Sequence, residues 1–236
     1  MIPANGVELW TVSLDVGSAR LSELAATLCP EERARAARFV FERGRREYVI
    51  ARAALRDILG GHLGLPPPAI AIGVPTENGK PELRGPPEVR ALRFNVSHSG
   101  GLALIAVGFG RELGVDVEEI RADRDLIGIA ESIYSPAELA ELRALPAGLQ
   151  VEGFYLAWTR KEAFVKALGL GLSFPLEAFD VSLDPRAPAI LRAVRAEGRA
   201  AGAWTLRSLA IPGGTHAAAI VAEGSLGPLL ERRWPG

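Results

Sequence analysis

The chain predicts an α+β fold made of two similar halves, and three observations predict it. Runs that alternate apolar and polar residues share the chain with runs of helical period, so neither an all-helical nor an all-strand class fits. "RAALRDILGGHLGLPPPAIAI" and "TRKEAFVKALGLGLSFPLEAFDV" both pass from helix through glycines, Leu and Pro to an alternating strand. "GLALIAV" is matched in the same way by "THAAAIVA" near the C-terminus. A duplicated α+β unit accounts for these echoes; the competing explanation is chance, since any α+β chain alternates helix, glycine and strand. The boundary is placed near Gly110, giving halves 1–110 and 111–236.

The elements follow in order. "VELWTVSLD" alternates like a strand, and Ser22 to Leu59 reads as helical, with interruptions expected near Cys29-Pro30 and Gly44. Gly60 to Pro68 stops the helix, "AIAIGV" alternates as a strand, and "ENGKPEL" is a turn signature that leaves Lys80 exposed by default. "LRFNVS" and "GLALIAVGF" are strands joined by His98-Ser99-Gly100, and "ELGVDVEEI" is a third neighbour. In "SPAELAELRAL", Ser135 is placed to cap a helix, Pro136 to occupy its first position and Glu138 to close a capping box. The next helix carries "WTRKEAFVKALGLGL", Trp158 to Leu172.

Composition narrows the classes. With 236 residues, 48% hydrophobic and 23% charged, the chain is long enough for a sizeable core and ordinary in balance. A net charge of -1 argues against a general binder of nucleic acid or membrane surface, while leaving room for a local basic patch on a small anion. One cysteine, Cys29, permits no intramolecular disulfide and suggests no thiolate metal site, which fits a reducing, cytoplasmic setting. Its expected role is that of a small, inert, buried or boundary residue. No signal-peptide pattern and no stretch of 18 apolar residues is found.

Chemistry concentrates in three places. The period of a strand puts Asp116 and Glu118 on one face of "GVDVEEI" and Val115 and Val117 on the other. Two like charges beside an apolar strand resist desolvation unless a cation or proton compensates them, and magnesium is a hard ion suited to such carboxylates. A solvated edge strand is the plainer reading of a bare D-x-E. In the helix, Ala163, Phe164, Ala167 and Leu168 form an apolar stripe, while Glu162 and Lys166 fall at i and i+4 elsewhere, as in an exposed ion pair worth only about 0.3 kcal/mol. The glycines after it point to backbone that must turn or come close to something. Ser97, His98 and Ser99 sit where a strand ends, so hydroxyls and an imidazole can face an anion, although a serine-rich turn needs no ligand.

Taken together, "CPEERARAARFVFERGRREYVIARAALRDIL", "NGKPEL", "FNVSHS", "GVDVEEI" and "AWTRKEAFVKALGLGL", in this order and spacing, closely resemble the 4'-phosphopantetheinyl transferases of the larger, Sfp-type class. The resemblance runs from roughly Cys29 to Val181; the remaining residues match only in general character. It implies transfer of the phosphopantetheine arm of coenzyme A to a serine of an apo acyl or peptidyl carrier protein, with release of adenosine 3',5'-bisphosphate. It implies magnesium held by Asp116, Glu118 and Glu162, with Glu162 also the position proposed as base and Lys166 meeting a phosphate. Whether Glu162 or a metal-bound water takes the proton stays open, as metal ligation lowers the basicity of a carboxylate.

By the same resemblance Arg35, Lys80, Ser97 and His98 contact coenzyme A, with Arg35 and His98 at its 3'-phosphate. Some relatives carry a second basic residue where this chain has Glu32, a departure for which Arg43 is the candidate substitute. The implied architecture is a pair of α+β subdomains about a pseudo-twofold axis with the coenzyme in the cleft between them, working as a monomer. Two rivals are a coenzyme-binding module without catalysis and a magnesium-dependent phosphohydrolase. The surface that receives the carrier is sought in "AESIYSPAELAELRAL".

Overall fold

Two β-sheets pack face to face, and a 22-residue helix covers the outer side of each. The structure is a computed structural model that describes residues 2–3, 5–75, 79–171, 174–195 and 200–236. Strand β1 (Val7–Ser13) leads to helices α1 (Ser18–Ala26), α2 (Pro30–Ala36) and α3 (Glu42–Leu63). A short hairpin, β2 (Ile72–Gly73) and β3 (Glu82–Leu83), and one turn of helix, α4 (Pro87–Arg90), precede the antiparallel pair β4 (Leu92–Ser99) and β5 (Leu102–Phe109). The chain continues through β6 (Leu113–Glu119), α5 (Leu126–Ile133), α6 (Pro136–Ala144) and α7 (Ala147–Leu168). A second hairpin, β7 (Phe179–Val181) and β8 (Leu191–Val194), the antiparallel pair β9 (Trp204–Ser208) and β10 (His216–Glu223), and β11 (Leu229–Arg233) complete it.

The sheets have strand orders β11-β1-β5-β4 and β6-β10-β9. Without β11 the two orders coincide, with β1 matched to β6, β5 to β10 and β4 to β9. Helices α3 and α7 match as well: both run 22 residues and both end on a glycine in the left-handed region, Gly64 at φ 65° and Gly169 at φ 70°. The mixed α+β class expected from the sequence is what the chain adopts.

Period-two patterning explains the layering. In β5, Ala103, Ile105 and Val107 face α3, while Leu104 and Ala106 face the other sheet. In β10, Ala217, Ala219 and Val221 face α7, and Ala218, Ile220 and Ala222 meet the first sheet. These strands are apolar on both faces because both faces are covered. The central layer formed by Val7, Leu9, Leu104, Leu113, Val115, Val117 and Ile220 is an apolar core between the two sheets.

Several local expectations need correction. Gly44 does not interrupt a helix; it lies inside the first turn of α3, and the break falls at residues 37–41. The β4–β5 turn is made by Gly100 and Gly101 at φ 57° and 82°, so His98 and Ser99 belong to the strand and pair with Ala103 and Leu102. Asn78 of the "ENGKPEL" turn and Leu172 and Ser173 of the glycine-rich sequel lie outside the described residues. The capping box at Ser135 is present: Ser135 Oγ accepts from Glu138 N at 3.2 Å and Glu138 Oε2 accepts from Ser135 N at 3.0 Å. β11, drawn from the 111–236 half, crosses back to pair in parallel with β1. Trp234 then enters the first core and donates its indole N–H to Asp57 at 2.8 Å.

Candidate active site

The site begins where β4 and β6 run side by side, one at an edge of each sheet. Alternate β4 residues reach across to β6. Asn95 Oδ1 accepts from Val115 N at 2.8 Å, Ser97 Oγ donates to Asp116 Oδ1 at 2.7 Å, and Ser99 Oγ donates to Glu118 Oε2 at 2.7 Å. Ser99 Oγ also accepts from Glu119 N at 3.2 Å. The strands are thus stitched by side chains, and the stitching fixes both carboxylates on the side away from Val115 and Val117, as strand period requires.

Helix α7 lies directly on β6 because residue 114 is glycine. A Cβ there would collide with the Ala163 carbonyl and the Ala167 amide nitrogen. That close approach brings Glu162 and Lys166 over Asp116. Lys166 Nζ donates to Asp116 Oδ1 at 2.5 Å and to Ser97 Oγ at 2.9 Å. The local i to i+4 pair expected between Glu162 and Lys166 is therefore replaced by a longer-range one to β6, where the buried Asp116 offers the ammonium a desolvated partner.

Val96, Ser97, His98, Asp116, Glu118, Trp158, Glu162 and Lys166 line one cleft. Within it, Asp116 Oδ2 and Glu162 Oε1 are buried and accept no hydrogen bond from protein. Unpartnered buried carboxylate oxygens are costly and rare in folded chains. Burial pushes the Glu162 carboxyl above its usual range; Asp116 and, more weakly, Glu118 push the same way, and Lys166 opposes them. Among the described residues no group of three or more His, Cys, Asp and Glu side chains is drawn close enough to hold a metal. The three acids share the cleft without converging.

Other anticipated residues are placed differently. Lys80 is not exposed: its ammonium donates to Glu112 Oε2 at 2.8 Å and to the Leu113 carbonyl at 2.6 Å, and burial draws its pKa down while Glu112 opposes. It borders a neighbouring pocket that also touches Lys166, Asn95 and Gly169. Arg35 lies with its guanidinium 5.4 Å from the Tyr48 ring centre, and Arg43 pairs with Glu47 at 2.9 Å; neither lines the cleft. Glu32 is a core residue. It is buried and bound by Arg52 at 2.7 Å and Arg56 at 2.5 Å, and although burial raises its pKa these cations win and hold it low. Cys29, half-buried, is the N-cap of α2.

The residues that sequence reasoning passed over are Asn95 and Glu112. The N-x-S-x-S alternation of β4 was the available signal for Asn95; nothing local marks Glu112 as the partner of Lys80.

Comparison with known proteins identifies the family. The N-terminal domain of 4'-phosphopantetheinyl transferases matches residues 15–109, and the 4'-phosphopantetheinyl transferase superfamily matches residues 112–221. The 4'-phosphopantetheinyl transferase HetI of Nostoc sp. is 39% identical over 92% of this chain and 88% of its own. A 4'-phosphopantetheinyl transferase of Bacillus subtilis is 34% identical over 68% of each chain, and psf-1 of Bacillus pumilus 35% over 76% and 75%. This chain belongs to the 4'-phosphopantetheinyl transferase family, enzymes that move the phosphopantetheine arm of coenzyme A to carrier proteins.

Proposed function

We propose that the cleft between β4, β6 and α7 performs this transfer, with the two halves, 1–110 and 111–236, related by a pseudo-twofold axis and the coenzyme bound between them. The matching strand orders and paired 22-residue helices support the symmetry. The observation that carries the site is the pair of buried, unpartnered oxygens, Asp116 Oδ2 and Glu162 Oε1, facing a cleft that also holds Lys166.

This donor set fits a hard divalent cation: oxygen ligands only, two of them without protein partners. Asp116, Glu118 and Glu162 would hold magnesium, which when bound neutralises charge on the pyrophosphate. The remaining steps belong to the chain. Lys166, fixed by Asp116 and Ser97, sets a positive charge at the cleft for a phosphate oxygen. Ser97 and His98 on β4 offer a hydroxyl and an imidazole on the first-half side, and Arg35, with Arg43 in place of the basic residue missing at Glu32, receives the 3'-phosphate. Lys80 acts from the adjoining pocket while held by Glu112.

The acceptor serine Oγ attacks the phosphorus that bears the pantetheine. The bond to the adenosine 3',5'-bisphosphate oxygen breaks, and the serine proton passes to a base. We assign that role to Glu162, whose carboxyl burial and Asp116 raise in the metal-free site, an effect that ligation of a cation would oppose. No covalent enzyme intermediate is formed, so Cys29, at a helix cap, has no part in the reaction. Both halves being present in one chain, the enzyme works as a monomer, and its single cysteine suits the cytoplasm. Incubation with coenzyme A, Mg²⁺ and an apo carrier protein should add one phosphopantetheine to the carrier by mass spectrometry. An unmodified carrier with coenzyme retained points to a binding module; cleaved coenzyme with an unmodified carrier points to a phosphohydrolase.

A further inference from the structure

His216 takes no part in the chemistry above, but it meets the strand that walls the cleft. Its Nε2 lies 3.2 Å from the Ser99 carbonyl, and its Nδ1 lies 2.9 Å from Thr215 Oγ1. A carbonyl only accepts, so Nε2 carries the proton and Nδ1 accepts from the Thr215 hydroxyl. Strand pairing sets His216 opposite Glu119 at the end of β6. The β4–β5 turn is pressed against the same two residues: a Cβ on Gly100 would lie 2.8 Å from His216 Nε2 and 2.7 Å from Glu119 Cβ. Glycine is needed there for its φ of 57° and again for this approach. The turn of the first sheet is thereby seated on β6 and β10 of the second.

Ser99 carries that seat into the cleft. Its hydroxyl gives its one proton to Glu118 Oε2 at 2.7 Å and accepts from Glu119 N at 3.2 Å. With donor and acceptor both engaged, the hydroxyl has a fixed orientation, and it holds Glu118 by one oxygen. Among the described residues no protein donor meets the other oxygen of Glu118. Hydrogen bonds behind a ligating carboxylate set its orientation and so the strength of the metal site. We propose that Ser99 and His216 are positioning residues for Glu118, which rests on the reading of Glu118 as a magnesium ligand. His216 fixes the Ser99 backbone, and the Ser99 hydroxyl takes one Glu118 oxygen and leaves the other for the ion. Neither residue touches the reacting atoms.

The test titrates Mn²⁺, a paramagnetic stand-in for magnesium, into the full chain with coenzyme A bound and follows free Mn²⁺ by electron paramagnetic resonance. Ser99→Ala should weaken Mn²⁺ binding about tenfold. Ser99→Thr, which keeps the hydroxyl, should bind like wild type. His216→Ala, one step further back, should weaken binding about threefold, and His216→Gln should recover it through its amide N–H. Coenzyme A affinity without metal should not change in any of these. In a Glu118→Ala background Ser99→Ala should add nothing, because it acts through that carboxylate. A thermal melt of each variant checks that the chain is folded; should Ser99→Ala not fold, Ser99→Cys, with its weak donor, is read in its place. Wild-type Mn²⁺ affinity in Ser99→Ala overturns the proposal. So does a Ser99→Thr as weak as Ser99→Ala, or a tenfold loss that persists without Glu118. Unaltered binding in His216→Ala removes His216 from it. If Glu118→Ala leaves Mn²⁺ binding intact, or the wild type binds none, the ligand reading itself fails and the proposal falls with it, a result seen without any Ser99 variant.

Discussion

Two lysine–carboxylate pairs sit on different sides of α7, five residues apart, and they are built to different standards. Lys161 and Glu138 are both fully buried and 2.7 Å apart. Lys161 also donates to the carbonyls of Leu176 at 2.8 Å and Phe179 at 2.7 Å, and Glu138 accepts from Ser135 N and from Val181 N at 2.8 Å. All three ammonium protons and both carboxylate oxygens are used. Lys166 and Asp116 form a pair at 2.5 Å, but Asp116 Oδ2 beside it and Glu162 Oε1 one turn away are left without protein partners. A satisfied network ties α6 and the β7 region to α7. An unsatisfied one at a cleft can accept a ligand, because its carboxylate oxygens are not taken by protein donors.

The largest effect expected from this contrast is Asp116→Ala. It should abolish transfer while leaving the melting temperature close to wild type, since it removes a half-satisfied group. Full activity at saturating Mg²⁺ would remove Asp116 from the site. Lys161→Met should do the opposite, destabilising by about 3–5 kcal/mol because Glu138 is left buried and unpaired. Denaturant midpoints measure that loss, and per-molecule activity of the remaining folded fraction should be near normal. If Lys161→Met instead lowered kcat at unchanged stability, the division between a structural and a functional pair would fail.

Glu162→Gln comes next. It should depress kcat far more than coenzyme A affinity measured by calorimetry, and it also has a pH signature. A carboxyl whose folded pKa lies above its unfolded value opposes folding once both states are charged. The wild type therefore loses stability as pH rises from the unfolded value through the raised folded one. Glu162→Gln should accordingly be more stable than wild type at pH 7, with the difference closing as pH falls through the raised folded value and gone below about 4.3. A constant difference across that range means the carboxyl is not perturbed by its site. Glu118→Ala should be milder than Asp116→Ala, as water can replace one carboxylate around magnesium, and a larger Mg²⁺ requirement in the transfer assay is its expected mark.

The smallest effect concerns Arg35. Its removal should weaken coenzyme A binding about tenfold and leave dephospho-coenzyme A nearly unchanged, as a charge-assisted contact to the 3'-phosphate requires. Equal weakening of both would return Arg35 to the solvated face on which it packs against Tyr48.

Much of this contrast was legible in the sequence and part was not. The capping box of Ser135 and Glu138 could be read at a spacing of three residues, and the separation of Asp116 and Glu118 from Val115 and Val117 followed from strand period alone. Glu138 as partner of Lys161 could not be read, because the same carboxylate serves a local cap and an ion pair to another helix. Glu32 looked like a lost phosphate contact and proved to be the anchor of Arg52 and Arg56.

By itself the sequence determined the α+β class and the internal echo of helix, glycine and strand. These depend on periodicity and local backbone preference, which act over a few residues. The tertiary structure alone decided that Lys166 turns to Asp116, that Lys80 is held by Glu112, and that β11 returns to β1 with Trp234 reaching Asp57. Each of these contacts joins residues separated by at least 32 positions, and no local pattern records which buried charge will meet which partner once two sheets close on each other.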